Sequence, residues 1–207
     1  MTRILGIDTG SQVCGFGFIE AEGTTFRYIE CGVFRLKAGR ELPDRLAELW
    51  RDLCGVLAET KPDLCAVERP FVNPKFGGNG AITIGAAFGV AISCARLMSP
   101  VIEVGPTEVK RHMGHGASKK EQVGFVVQRL LNLDAVPQPL DAADALAIAL
   151  TGHALTTKGP QLHETNVTSQ GSRTGRRSGS TSDDAIQPRA WSRTKRRGPK
   201  GRGLFGG

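Results

Sequence analysis

Four carboxylates stand where an apolar core would not place them. Asp8 closes the run Ile4-Leu5-Gly6-Ile7, and Glu68 closes Leu64-Cys65-Ala66-Val67. Asp141 and Asp144 interrupt the otherwise apolar stretch Asp-Ala-Ala-Asp-Ala-Leu-Ala-Ile-Ala-Leu. Being three apart, they fall on one face of a helix. Burying a carboxylate is costly unless it is paired or bound to a cation. Taken singly, each acid has an ordinary explanation: Asp141 as a helix N-cap, Asp8 as a cap on the turn at Thr9-Gly10, Glu68 as a partner of Arg69. Taken together they point to a cluster. Acids grouped without Cys or His suit hard cations, Mg²⁺ or Mn²⁺. Two such ions about 4 Å apart can clamp a phosphodiester, activating a water and stabilising the leaving oxygen.

The charge supports a polyanionic substrate. The 207 residues carry 27 Lys+Arg and 20 Asp+Glu, a net of +7. Residues 1–156 hold 16 basic and 17 acidic residues, and residues 157–207 hold 11 and 3, so the whole excess lies in the last quarter. That segment is rich in Gly, Ser, Thr and Pro and runs through Arg-Thr-Lys-Arg-Arg-Gly-Pro-Lys-Gly-Arg-Gly. It cannot bury enough apolar surface to offset its ordering entropy. The expected organisation is a folded domain over 1–156 and a disordered basic tail over 157–207. Lys195, Arg196, Arg197, Lys200 and Arg202 make the tail a ligand for nucleic acid.

The elements that must carry the acids follow from periodicity. Ile4–Asp8, Val13–Ile19 and Phe26–Phe34 read as three strands of an antiparallel meander. Leu42, Leu46, Leu49, Trp50, Leu53 and Leu57 recur at helical spacing. Leu64–Glu68 is a strand ended by Pro70, and a Gly-rich loop, Lys75–Gly80, leads into an apolar helix over Ala81–Leu97. Val101–Val104 is a last short strand, followed by helices over Ser118–Leu131 and Asp141–Leu155. The order βββαβαβαα predicts an α/β fold, a mixed sheet with three antiparallel strands and then parallel strands, covered by helices on both faces.

Several chemistries are disfavoured. There is no GxxxxGK[ST], and Gly78-Asn79-Gly80 fails GxGxxG because Thr83 takes the third glycine's place. Cys14, Cys31, Cys54, Cys65 and Cys94 are irregularly spaced, which argues against disulfides and structural zinc and for small buried side chains. His112 and His115 have no Cys cluster near them and read as surface or loop residues. No apolar run is expected to approach the length of a bilayer span, and the first residues lack a signal peptide's layout, so a cytoplasmic protein away from the membrane is expected.

The acids lie in motifs that resemble the RuvC Holliday-junction resolvases. Gly6-Ile7-Asp8-Thr9-Gly10-Ser11 with Gly15-Phe16-Gly17 resembles that family's first motif, and Ala66-Val67-Glu68-Arg69-Pro70-Phe71 its second. Pro106-Thr107-Glu108-Val109-Lys110, with Gly114-His115-Gly116 and Lys120-Glu121-Gln122-Val123, resembles its basic stretch. Asp141 to Ala149 resembles the C-terminal acidic motif, the most specific of the set. The likeness spans about residues 3–155 in order. It implies a ribonuclease-H-like fold and a homodimeric, Mg²⁺-dependent endonuclease with two ions per site, Mn²⁺ being able to substitute. Such an enzyme nicks opposed strands of a four-way DNA junction symmetrically, leaving 5′-phosphates. On this resemblance Asp8, Glu68, Asp141 and Asp144 are the catalytic, metal-holding acids. Lys110 and Lys120 approach DNA, with Lys119 as the alternative, because the intervening segment is one residue short of some relatives. Phe71 stacks on bases at the opened junction, against the plainer reading of a core phenylalanine. Gly85-Ala-Ala-Phe88-Gly89 falls on the helix that carries the family's dimer contact. RuvA and RuvB branch-migration proteins are the implied partners. Thr9 departs from the family's usual proline.

Three rivals remain. Asp8-Thr9-Gly10-Ser11 also resembles the phosphate loop of actin-like ATPases and sugar kinases, but those need two lobes and leave Asp141 and Asp144 unexplained. The resolvase-like nucleases that process ribosomal RNA share the fold and first motif. A non-catalytic junction-binding protein gains nothing from acids near phosphates.

Overall fold

The computed structural model describes residues 1–10, 12–36, 39–71, 78–114 and 120–157. All described residues lie within one compact unit. Residues 158–207 lie outside the described set, and with them nearly all of the expected basic tail.

Five strands form one sheet: β1 Thr2–Thr9, β2 Val13–Glu22, β3 Thr25–Arg35, β4 Leu64–Glu68 and β5 Val101–Val104. Their order is β3-β2-β1-β4-β5. β1 and β2 run antiparallel, as do β2 and β3, whereas β1–β4 and β4–β5 run parallel. The helices are α1 Leu42–Thr60, α2 Gly78–Met98, α3 Pro106–Met113, α4 Lys120–Leu130 and α5 Leu140–Thr157. The mixed sheet and the helices on its two faces match the expected α/β architecture.

The two faces follow from the period of two along the strands. On β1, Leu5 and Ile7 join a core with Leu49, Leu53 and Leu57 of α1 and Ala87, Ala91 and Cys94 of α2. Ile4 joins the opposite core, with Val109 and Met113 of α3, Val127 of α4 and Leu146 to Leu150 of α5. On β4, Cys65 and Val67 belong to the α1/α2 side and Ala66 to the α5 side. The next residues in alternation are Asp8 and Glu68, so both acids fall on the α5 side.

α5 lies flush on the sheet because the strands beneath it carry glycine. A Cβ on Gly6 would stand 2.0 Å from the Ala145 carbonyl oxygen, and one on Gly15 would stand 2.2 Å from that of Asp141. The helix is buried almost all round, from Ala142 to His153. His153 Nε2 lies 2.9 Å from the Gly23 carbonyl oxygen and pins the helix to the β2–β3 turn.

Three expectations need correction. The order has one more helix than predicted: α3 follows β5, where only a basic stretch was read. Its register holds just two buried apolar residues, Val109 and Met113, too few to show a period. The Gly-rich segment predicted as a loop to Gly80 is already helical from Gly78, while residues 72–77 lie outside the described set. Finally, Gly80–Met98 is long and apolar enough, by length and composition, to cross a bilayer, contrary to the expectation that no run approached that length. In this fold its small residues, Ala87, Ala91, Cys94 and Ala95, are buried in the core with α1.

Candidate active site

The sheet brings two of the acids together by register. β1 and β4 pair in parallel through Ile7↔Val67, and Asp8 and Glu68 each follow that pair by one residue. Both strands therefore present a carboxylate at the same level, on the same face, at the end where the sheet gives way to loops. α5 crosses this face. It begins at Leu140, so Asp141 lies inside its first turn and is not its cap. The backbone N–H of Ala142 donates to the Pro139 carbonyl, 2.9 Å away, to start the helix.

Asp8, Glu68 and Asp144 line one cleft of about 210 Å³, with Pro106, Val109, Lys110, Val123 and Ile148. Three acids from β1, β4 and α5 thus converge with one lysine from α3, against an apolar wall from α3, α4 and α5. Asp141 is half-buried one helical turn before Asp144, but is not among the lining residues. All four acids are half-buried. Asp8 also acts on its surroundings: burial first, and the charge of Asp8 second, push the Cys14 thiol up to about 12.

The donor set suits a hard divalent cation, because it consists of carboxylate oxygens with no soft ligand in the cleft. Among the described residues no three acids are already drawn into a ligand cluster. Like charges facing one cleft repel, which disfavours closure by the protein alone.

α3, which sequence reasoning missed, is what aims Lys110. Pro106 occupies its first turn, and Glu108 Oε2 accepts from the Gly105 N–H at 2.6 Å. The same carboxylate lies 3.8 Å from Arg69 Nη2, and the Arg69 N–H donates to the Val104 carbonyl at 2.8 Å. The residue after Glu68 is thereby tied to the turn that launches Lys110. Gly105-Pro106 followed by Glu108 was the legible signal: a proline at the first helical position and an acid three residues after the cap.

Phe71 is 77% exposed, which overturns the core reading. Lys120 opens α4, although its side chain, like all of Lys119 and His115, lies outside the described residues. His112 is exposed on α3. Thr9, in place of the proline, is buried, and among the described residues its Oγ1 has no hydrogen-bond partner.

Comparisons with known proteins point to one family. The family model described as crossover junction endodeoxyribonuclease RuvC matches residues 4–153. A protein of that name from Alkalilimnicola ehrlichii is 45% identical over 154 residues, 72% of this chain and 90% of its own length. Another, from Synechococcus sp. WH7803, is 40% identical over 152 residues, 72% of this chain and 97% of its own. Among solved structures, T. thermophilus RuvC in complex with a Holliday junction substrate aligns with a TM-score of 0.68 at 29% identity, covering 76% of this chain and 96% of that one. The yeast mitochondrial Holliday junction resolvase Ydc2, at 16% identity and a TM-score of 0.53, shares the fold.

Proposed function

The chain belongs to the RuvC family of crossover junction endodeoxyribonucleases, and from that premise we propose that it resolves four-way DNA junctions in recombination and repair by paired, symmetric nicks that leave 5′-phosphates. The observation that carries the reading is the convergence of Asp8, Glu68 and Asp144 on one cleft beside Lys110.

In this reading Asp8, Glu68, Asp144 and Asp141 are the residues that would hold divalent cations, two Mg²⁺ per site, with Mn²⁺ as a substitute. Bound there, such ions supply Lewis-acid activation of a water and stabilisation of the departing 3′ oxygen. The chain's own side chains do the rest. Lys110 contacts the phosphate backbone and fixes the scissile group over the acids. Val109, Val123 and Ile148 keep the cleft wall dry, which strengthens each charge inside it. Lys120, or Lys119, adds a second backbone contact, and Phe71 stacks on a base freed at the crossover. The chemistry needs no covalent intermediate.

Symmetric nicking needs two sites related by a two-fold axis, hence a homodimer. Among the described residues nothing lies within 4 Å of a Cβ built on Gly85 or Gly89 of α2, which supports that helix as the contact. RuvA and RuvB branch-migration proteins are the partners that would deliver the junction, and the cytoplasm is where the chain would meet DNA.

The test is cleavage of a synthetic mobile four-way junction with Mg²⁺, beside linear duplex and structured RNA. Paired nicks confined to the junction are expected, and Asp8→Asn is expected to lower cutting by roughly a thousandfold, about 4 kcal/mol of barrier, while junction binding survives. Binding without cutting by the unaltered chain would reduce it to a junction-binding protein. Preferential RNA cutting would favour the RNA-processing relatives, and unchanged cutting by Asp8→Asn would remove that residue from the cation site.

A further inference from the structure

Two of the five cysteines have no part in the cleft and lie on the other face of the sheet. Cys54 of α1 and Cys94 of α2, forty residues apart in sequence, are in thiol-to-thiol contact at 2.6 Å. That is about half an ångström beyond a covalent S–S bond. The other three are engaged elsewhere. Cys65 Sγ accepts from Ser99 Oγ at 3.0 Å, Cys31 Sγ accepts from the Tyr28 hydroxyl at 3.6 Å, and Cys14 Sγ lies 3.9 Å from the Gly15 carbonyl oxygen. All five are free thiols, but only Cys54 and Cys94 face each other. Their exposure is asymmetric: Cys54 is half-buried, and Cys94 is fully buried.

We propose that Cys54 and Cys94 form a redox pair, closing to an intramolecular disulfide that clamps α1 to α2. The oxidant is a small disulfide of the glutathione class. The Cys54 thiolate attacks one of its sulfurs and expels one small thiolate. Cys94 then loses its proton and attacks the Cys54 sulfur, expelling the second. Two protein thiols are oxidised, one small disulfide is reduced, and the two released protons reside on the two small thiols. Cys54, the less buried of the two, is the entering nucleophile, and burial, then contact with Cys54, pushes the Cys94 thiol up to about 12, which makes the second step the slow one. The irregular cysteine spacing argued against any such pair, because helix packing, not sequence distance, sets the contact. The proposal is independent of junction cutting.

The test treats the full chain with oxidised glutathione, alkylates the remaining thiols and maps the fragments by mass spectrometry. A linked pair of fragments carrying Cys54 and Cys94 is expected, with Cys31 alkylated. The unfolding midpoint of the oxidised chain is expected to lie roughly 5–10 °C above that of the dithiothreitol-reduced chain. Cys54→Ser should remove both effects, and Cys65→Ser should preserve them. Alkylation of both thiols after oxidation, linkage to another cysteine, or cross-links only between chains would overturn the proposal. The fragment map of the unaltered chain decides the matter even if a variant fails to fold.

Discussion

Phe71 stands three residues beyond Glu68 with 77% of its surface exposed, so its ring contributes little to the core. Phe71→Ala should therefore leave the unfolding midpoint almost unmoved, within about 0.5 kcal/mol. Loss of one base stack is worth about 1–3 kcal/mol, so junction affinity should fall by roughly 5- to 150-fold in a binding titration at fixed salt. A large drop in stability with unchanged affinity would return Phe71 to a packing role. The thiols give a pH prediction. Burial, and then Asp8, hold Cys14 up at about 12, and burial holds Cys65 up at about 11, both above the ordinary 9.0. Above pH 9 the unfolded chain releases these protons while the folded chain keeps them, so stability is full below that pH and falls as pH rises toward 11. Thermal unfolding of the reduced protein from pH 8 to 10.5 should show a midpoint that declines, and Cys65→Ala should flatten the decline. The acids of the cleft were legible at this scale because a charge closing an apolar strand is an anomaly that propensity does not produce. Lys110 was legible only through resemblance, since a surface lysine carries no such anomaly.

Secondary structure was readable wherever a period was long enough to repeat. The leucines of α1 and the short apolar run Ile4–Ile7 of β1 each returned their element, whereas the common face of Asp8 and Glu68 emerged only from the strand register and the two cores. α3 was not readable, because two buried residues cannot show a period. The role of the glycines in β1 and β2 was hidden for a different reason: a close helix–sheet approach is a tertiary fact. Gly6→Ala tests it. Its new methyl would meet the Ala145 carbonyl oxygen at 2.0 Å and the Ala149 nitrogen at 2.6 Å, both backbone atoms that cannot swing aside. The helix must lift, costing about 3 kcal/mol, and Asp144 must move with it. Cutting should therefore fall even well below the lowered midpoint. Gly55→Ala is the control. A Cβ there meets nothing within 4 Å on α1, and the change should stabilise the chain by about 0.5–1 kcal/mol. If Gly6→Ala were as mild as Gly55→Ala in calorimetry, the glycine floor under α5 would have no positioning role.

At the scale of the whole molecule, the described residues leave one helix face uncovered. α2 buries its small residues against α1 and the sheet, yet Ile82 is 64% exposed and Leu97 79%, and among the described residues nothing lies within 4 Å of a Cβ built on Gly85 or Gly89. Ile82, Gly85 and Gly89 recur at helical spacing, so they form one stripe, and a stripe so apolar facing water disfavours an isolated chain. A second copy crossing there would cover the apolar residues, with the glycines allowing close approach. It would also place two clefts about one axis, as symmetric nicking requires. Light scattering at micromolar concentration should then give twice the chain mass of 22.1 kDa. Ile82→Glu should give the single mass, with the unfolding transition of the separated chain retained, because the side chain touches little within its own fold. On a four-way junction the same variant should produce isolated nicks in place of paired ones. A monomeric mass for the unaltered chain, together with paired nicking, would place the symmetry in the DNA-bound state alone and leave α2 without that role.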